Sequence, residues 1–550
     1  MLFLPENMKL VRKLHCNEFT FNLVAALWFA LILNALFIIR VWEIIPFISL
    51  RDYLFAATLP VVLICAFTLI FNLLALPWIR KPLLILLILA SAAANYFMFS
   101  FGTVIDTNMV QNVFETDAQE ALALFNTRYL TWMTLMGVLP ALLLCMVRIT
   151  RHRPWWFGLA LRAVSSTGAL LVILLVAALF YKDYASVIRN NKGLVKMITP
   201  ANIISGSGHY IHDRWFAGDQ SLVRIGLDAR KGPLISASRK KTLVVFVLGE
   251  TARAENFSLG GYARETNPQL KQQQVIYYPH ASSCGTETAI SVPCMFSNMP
   301  RVDYDASLAR HQEGLMDVMA HAGVNVLWRE NDGGCKGACD RVPHTDMTRW
   351  TLPDQCRDGY CLDGALLHRL NNYIDSIKDD SVIVLHQMGS HGPAYYLRYP
   401  PAMRKFTPTC DSNQIQDCDH QALINTYDNS LLYTDSMLSD TINLLKSYSD
   451  KYNVALIYLS DHGESLGEHG MYLHGTPYVF APSQQTHIPF LLWMSPDYAH
   501  TFGINQQCLQ QHAASDAVSQ DNIFHTLLGM MNIQTSEYQP ALDILKVCQA

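Results

Sequence analysis

The stretch Val454-Ala-Leu-Ile-Tyr-Leu-Ser-Asp461-His462-Gly463-Glu464 decides how this chain is read. An apolar run rich in β-branched and aromatic residues stops at an acid, an imidazole, a glycine and a second acid. A run of this length ended by a turn reads as a strand buried on both faces, as in parallel sheets. Open α/β sheets place their chemistry at the carboxyl ends of such strands. Asp and His are ligands suited to zinc or manganese, and Gly463 lets the backbone turn sharply. Side by side, these residues read as half of a metal site. A solvated Asp-His-Gly turn uses the same residues, so the stretch alone leaves both readings open.

Working outward, the region from Lys241 alternates strands and helices. Thr242–Leu248, Val324–Trp328, Ser381–Leu385 and Val454–Leu459 are continuous apolar strands. Gly314–His321, Gly364–Ile377 and Ala422–Tyr448 read as helices between them. The alternation predicts an α/β domain with a mainly parallel central sheet. The first strand ends at Gly249-Glu250-Thr251 and the third at His386-Gln-Met-Gly-Ser-His391-Gly392. Glu250, Asp461 and His462 would then give zinc three protein ligands and leave a fourth position open, as catalytic zinc requires.

Ser283-Cys-Gly-Thr286-Glu-Thr288-Ala-Ile fits the open position. Gly285 permits a tight turn, and the hydroxyls and acid that follow read as a helix start. A helix N-terminus favours phosphate, and a threonine hydroxyl on a divalent metal loses its proton more readily. Spacing does not choose between Thr286 and Thr288, and both also read as plain helix caps. Lys336 between Cys335 and Cys339 is suited to neutralising phosphoryl oxygens. His391 and His474 are candidate acids, bases or second-metal ligands. The roles of Glu464 and His469 stay open, and His280, His321 and His512 read as ordinary surface groups.

The first third differs in kind. Of 550 residues, 51% are hydrophobic and only 16% charged, and the apolar excess sits there. Five segments are long enough to span a bilayer: Phe19–Ile39, Tyr53–Leu76, Leu83–Phe101, Tyr129–Val147 and Phe157–Phe180. The first lacks a small-residue cleavage site and reads as a retained anchor. Lys9, Arg12, Lys13, Arg80, Lys81, Arg148, Arg151 and Arg153 mark cytoplasmic loops. The N-terminus is therefore expected inside and everything after about Tyr181 outside. The expected division is a five-helix transmembrane domain over 1–181, a bridging segment over 182–240 and a catalytic domain over 241–550. In the bridge, Tyr184, Trp215 and Phe216 are candidates to lie along the membrane surface.

Ten of the 13 cysteines follow the spans. An oxidising compartment favours four short-range disulfides, Cys284–Cys294, Cys335–Cys339, Cys356–Cys361 and Cys410–Cys418, over zinc knuckles. Whether Cys508 and Cys548 pair stays open.

Together, Gly249-Glu250-Thr251, Ser283-Cys-Gly-Thr-Glu-Thr288-Ala, Gly389-Ser-His391-Gly and Ser460-Asp-His462-Gly-Glu-Ser-Leu-Gly-Glu468 resemble the bacterial lipid A phosphoethanolamine transferases. These are relatives of alkaline phosphatases and sulfatases and include the mobile colistin-resistance enzymes. The resemblance covers essentially the whole chain. It implies an alkaline phosphatase-like fold, zinc on Glu250, Asp461, His462 and Thr288, and Thr288 as nucleophile. One tight zinc site is implied; whether a second metal joins during turnover stays open. Lys336, His391 and His474 fall on substrate-side positions. Asn112, Thr116 and Glu120 fall on headgroup-pocket positions, and their spacing puts them on one helix face.

The implied reaction moves phosphoethanolamine from phosphatidylethanolamine to Thr288 and then to a lipid A phosphate. The added amine lowers surface negative charge, so polymyxins bind less. The implied setting is the bacterial inner membrane, with a periplasmic catalytic domain, membrane lipids as partners, no nucleic acid and a monomeric state. Inner-core sugars and periplasmic glucans are alternative acceptors. A phosphoglycerol transferase of the lipoteichoic acid type shares the spans and threonine, but the clustered cysteines and the Ser-Cys-Gly-Thr-x-Thr motif count against it. A sulfatase needs an arginine that Ser291-Val-Pro293-Cys-Met does not supply. A non-catalytic scaffold would not keep every catalytic group.

Overall fold

The computed structural model describes residues 15–115, 124–150, 154–190, 192–212, 215, 221–350, 352–357 and 360–549. Lys9, Arg12, Lys13, Thr116, Glu120, Arg151, Arg153 and Phe216, named above, lie outside the described residues. The chain divides into two compact units. One comprises Met1–Val110 with Phe125–Ile211, the other Gln111–Leu124 with His212–Ala550.

The first unit is helical. Leu50–Leu73, Arg80–Phe101, Thr127–Met146 and Trp155–Ile188 are long and apolar enough to cross a membrane. Glu18–Leu33 and Ala35–Ile44 make a fifth if they act as one span, bent by 52°. The bend falls at Asn34, whose side chain donates to the Phe29 carbonyl (2.9 Å) and the Thr199 carbonyl (2.8 Å) and accepts from Thr199 N (2.9 Å). A polar group inserted into a helix ladder is an ordinary cause of a kink. Ser49 and Asp52 form a capping box that starts Leu50–Leu73. The last long helix runs past Phe180 to Asn190, with a break in helical geometry at Phe180. Tyr184 packs edge-on against Phe55 at 5.0 Å, with its hydroxyl 3.0 Å from Thr58 Oγ1. Trp215 is exposed.

The second unit is built on an eight-stranded sheet. Its strands are β1 (Lys241–Gly249), β2 (Ile276–Ser282), β3 (Asn325–Glu330), β4 (His344–Asp346), β5 (Ser381–His386), β6 (Tyr452–Ser460), β7 (His487–Met494) and β8 (Val518–Ser519). Their spatial order is β8-β2-β7-β6-β1-β5-β3-β4. The run from β6 to β4 is parallel, whereas β7 is antiparallel to both β6 and β2. In β1, Leu243, Val245 and Val247 face one core and Val244, Phe246 and Leu248 the other, all fully buried. A central parallel strand is continuously apolar because both of its faces are covered.

Register decides what these strands carry. Ser460 lies opposite Gly249, His386 opposite Leu248, and Glu330 opposite His386. The carboxyl ends of β6, β1, β5 and β3 therefore finish level, and the residues after them share one edge.

Two local features depart from the sequence reading. The segment Gly364–Ile377 is not one helix. It forms a 3-10 turn, Asp363–Leu367, and a helix, Leu370–Ser376, separated by Arg369 at φ +51°. The buried Arg329 guanidinium caps the break, donating to the Leu366 and His368 carbonyls at 2.8 Å each. Strand β7 contains Pro489, which argues against an interior strand; the pairing with β2 shifts register between Ile488 and Phe490, and the irregularity accommodates it.

The four expected cysteine pairs are bonded, as is Cys508–Cys548; Cys16, Cys65 and Cys145 are free. Bonding within Cys335–Cys339 and Cys356–Cys361 leaves no thiolates for zinc knuckles.

Candidate active site

Glu250 follows β1 directly and is fully buried. The next residue, Thr251, sits at φ +57°, a region that a β-branched residue enters only when its surroundings force it. Two hydrogen bonds hold it there: Tyr427 Oη donates to the Thr251 carbonyl (2.8 Å), and Thr251 Oγ1 donates to Glu250 Oε1 (2.5 Å). Gly389 supports the same turn from β5. Its φ is +51°, and a Cβ there would overlap the Glu250 backbone.

Asp461 and His462 follow β6, also fully buried. Gly463 is required by close approach, since a Cβ would overlap the Gln484 carbonyl oxygen. Asp461 Oδ1 accepts from Thr251 N (3.1 Å) and His462 N (2.7 Å). Its Oδ2 has no hydrogen-bond partner among the described residues. His462 Nδ1 lies 2.9 Å from the Gly463 carbonyl, which fixes that nitrogen as the donor and turns Nε2 inward. Nε2 lies 3.1 Å from Asp461 Oδ2 and 3.4 Å from Glu250 Oε1. One ligand atom from each of Glu250, Asp461 and His462 lies within 4.8 Å of the others.

An orphaned carboxylate oxygen in a dry cluster is costly unless a proton or a cation meets it. Without an ion, protons do this. Burial and the Glu250 carboxylate push Asp461 up to about 7. Burial opposes charge on His462, yet Asp461 and Glu250 hold it up at about 10. Burial likewise opposes charge on Glu250, but His462 keeps it well below the usual carboxylate range. Two carboxylates and an imidazole nitrogen are a donor set that suits a divalent cation of the zinc or manganese type, and such a cation would displace those protons.

Thr288 opens the helix α1 (Thr288–Met295). Its Oγ1 donates to Glu250 Oε2 at 3.2 Å and lies 3.5 Å from His462 Nε2. The Thr286 hydroxyl is committed elsewhere, donating to the Thr476 carbonyl (2.7 Å). Of the two threonines, Thr288 is thus the one aimed at the acids.

His474 stacks beside the cluster, its ring centroid 4.3 Å from that of His462 and 5.5 Å from that of His391. Glu464 is buried, with Oε1 3.3 Å from His474 Nδ1 and Oε2 accepting from Tyr395 Oη (3.0 Å). His469 is exposed. Lys336, at φ +50°, sits in the small loop closed by Cys335–Cys339, and its charge is felt at Asp332. Asn112 belongs to the second unit by its contacts and donates to Glu287 Oε2 at 2.6 Å, one residue before Thr288.

Sequence reasoning missed the groups that hold these elements. Gln520 Nε2 donates to the Ser460 and Asp461 carbonyls (2.9 and 2.6 Å), and its Oε1 accepts from Cys284 N (2.7 Å). One side chain therefore locks the acid turn to the threonine loop. Asp363 accepts from Met388 N and Gly389 N (2.8 and 3.0 Å) and fixes the loop after β5. Neither carries a local motif.

Residues 242–533 match the sulfatase family, and residues 63–215 match the family described as phosphoethanolamine transferase EptA/EptB. The chain is 48% identical over 542 residues to the phosphoethanolamine transferase EptA of Escherichia coli K12, covering 98% of this chain and 99% of that protein. This chain belongs to the phosphoethanolamine transferase family. It is also 38% identical over 490 residues to the phosphatidylethanolamine transferase Mcr-1 of Escherichia coli, covering 87% and 88% of the two chains. Among solved structures, the integral membrane lipooligosaccharide phosphoethanolamine transferase A of Neisseria meningitidis superposes with a TM-score of 0.92 at 40% identity, over 98% of this chain and 99% of that one. The expected helical membrane region and sulfatase-like domain with a mainly parallel sheet are both borne out.

Proposed function

We propose that this phosphoethanolamine transferase moves the group from phosphatidylethanolamine to a lipid A phosphate through a phosphorylated Thr288. The observation that carries the reading is the Thr288 hydroxyl, aimed at Glu250 and His462 at the rim of a buried acid–imidazole cluster. The relatives support the substrates: one is a phosphatidylethanolamine transferase, another a lipooligosaccharide phosphoethanolamine transferase.

In this reading Glu250, Asp461, His462 and Thr288 Oγ1 hold zinc. Bound zinc supplies positive charge that acidifies the hydroxyl and offsets charge developing at phosphorus. The protein's own groups do the rest. The Thr288 hydroxyl gives its proton to Glu250 Oε2, the acceptor of its hydrogen bond, as Thr288 Oγ bonds to the donor phosphorus and the bond from phosphorus to the glycerol oxygen breaks. His474, backed by buried Glu464, gives the departing diacylglycerol oxygen its proton. A lipid A phosphate then gives its proton to His474 as its oxygen bonds to the same phosphorus, and the bond to Thr288 Oγ breaks with the Glu250 proton returning to that oxygen. Lys336 and His391 neutralise and orient the phosphoryl oxygens. Asn112 lines the ethanolamine side in this reading.

The proposed organisation is a membrane domain over 1–181, a bridge over 182–240 and a catalytic domain over 241–550. The enzyme then resides in the inner membrane with its N-terminus in the cytoplasm and its catalytic domain in the periplasm. The test is the mass of lipid A from cells with and without the gene. A phosphoethanolamine increment is expected only with it; an unchanged lipid A, with the increment on core sugar or glucan instead, would sink the acceptor assignment.

A further inference from the structure

A second cluster of ligand atoms adjoins the first. Glu250, Asp332 and His386 each present one ligand atom, and these also lie within 4.8 Å of one another. His386 ends β5 and is fully buried. Its Nδ1 lies 2.8 Å from Glu330 Oε2. Glu330 is itself held, because Oε2 accepts from Trp328 Nε1 (2.9 Å) and Oε1 from Asp332 N (2.6 Å). The Glu330 contact occupies Nδ1. His386 Nε2 faces Asp332 Oδ2, 3.8 Å away, and has no hydrogen-bond partner among the described residues.

A buried imidazole nitrogen facing two carboxylates is met by a proton or by a cation. A carboxylate holding one imidazole nitrogen while the other looks into acids is the arrangement that surrounds metal-ligating histidines. Glu250, Asp461, Asp332 and Glu330 gather at one edge of the sheet.

We propose that Glu250, Asp332 and His386 form a second divalent-cation site that shares Glu250 with the first. Two carboxylates and one imidazole suit zinc or manganese. The site stands on this geometry and does not depend on which lipid accepts the transferred group. Its role is to hold Glu250, and through it Thr288, in place by charge from behind the first ion.

The test is stoichiometry. Full-length protein in detergent is stripped with a chelator and reloaded with Zn2+ alone, and tightly held zinc per chain is counted by elemental mass spectrometry after desalting. Two equivalents are expected for the wild type, one each for Asp332→Asn, His386→Gln and Asp461→Asn, and none for Glu250→Gln. Asp332→Asn decides the matter, because it keeps both the His386–Glu330 pair and the volume. One equivalent there, against two in the wild type, supports the site. A wild type that holds one equivalent, or an Asp332→Asn count equal to the wild type or to zero, overturns it; in the first case His386 Nε2 carries a proton.

Discussion

Thr288→Ala is expected to lower phosphoethanolamine transfer by about 10,000-fold or more, the scale on which removing a nucleophile acts. The substitution deletes one hydroxyl and little else. Thr288 is the first residue of α1, and alanine is a good helix former. Glu250 Oε2 loses a donor at 3.2 Å, a stability cost of about 1–3 kcal/mol, well short of unfolding a domain with this core. Glu250, Asp461 and His462 remain, so bound metal is expected to stay near the wild-type count. Thr286→Ala separates the two threonines. It breaks the bond to the Thr476 carbonyl and loosens the His474 loop, so activity falls while turnover remains measurable. Transfer from a fluorescent phosphatidylethanolamine, read beside metal content, gives both numbers. Activity in Thr288→Ala above a tenth of wild type would remove Thr288 from the role.

The second large effect falls on Asp461→Asn. An asparagine oxygen can still accept from Thr251 N and His462 N, so the turn after β6 keeps its shape. What changes is the position of Asp461 Oδ2, the oxygen with no hydrogen-bond partner. An amide there offers hydrogens where a cation needs negative charge. Groups that merely orient a ligand are worth about 10–100-fold in metal affinity, and a ligand is worth more. Affinity measured by chelator competition is expected to fall by more than about 100-fold, with transfer falling in parallel and recovering partly at high zinc. Wild-type affinity and activity together would show that Asp461 does not hold the ion.

The chemistry of this site was legible wherever it follows a strand. Lys241–Gly249, Ser381–His386 and Tyr452–Ser460 are apolar because they are buried on both faces. Their acids and imidazoles are conspicuous because each follows an unbroken apolar run. That the ends finish level is a matter of register, which no single stretch encodes. Gln520 was illegible for a related reason. It reaches Asp461 across 59 residues and Cys284 across 236, and Ser519-Gln520-Asp521 reads as an ordinary helix start. His386 and Asp332 were in plain view, yet only the fold brings them to Glu250. Strand β7 was hidden by Pro489, whose cost is absorbed by a register shift. The long apolar helices of the membrane unit were legible from length and apolarity alone; the bend at Asn34 needed the Thr199 contact, 165 residues away.

The central claim is a covalent phosphoethanolamine on Thr288, and peptide mass spectrometry tests it directly. Full-length enzyme is mixed with phosphatidylethanolamine without acceptor, quenched in acid and digested. Phosphoethanolamine on the peptide containing Ser283–Met295, with fragment ions placing it on Thr288 and none in Thr288→Ala, is the predicted result. The same group on Thr286, or an unmodified peptide from enzyme that has released diacylglycerol, would contradict it.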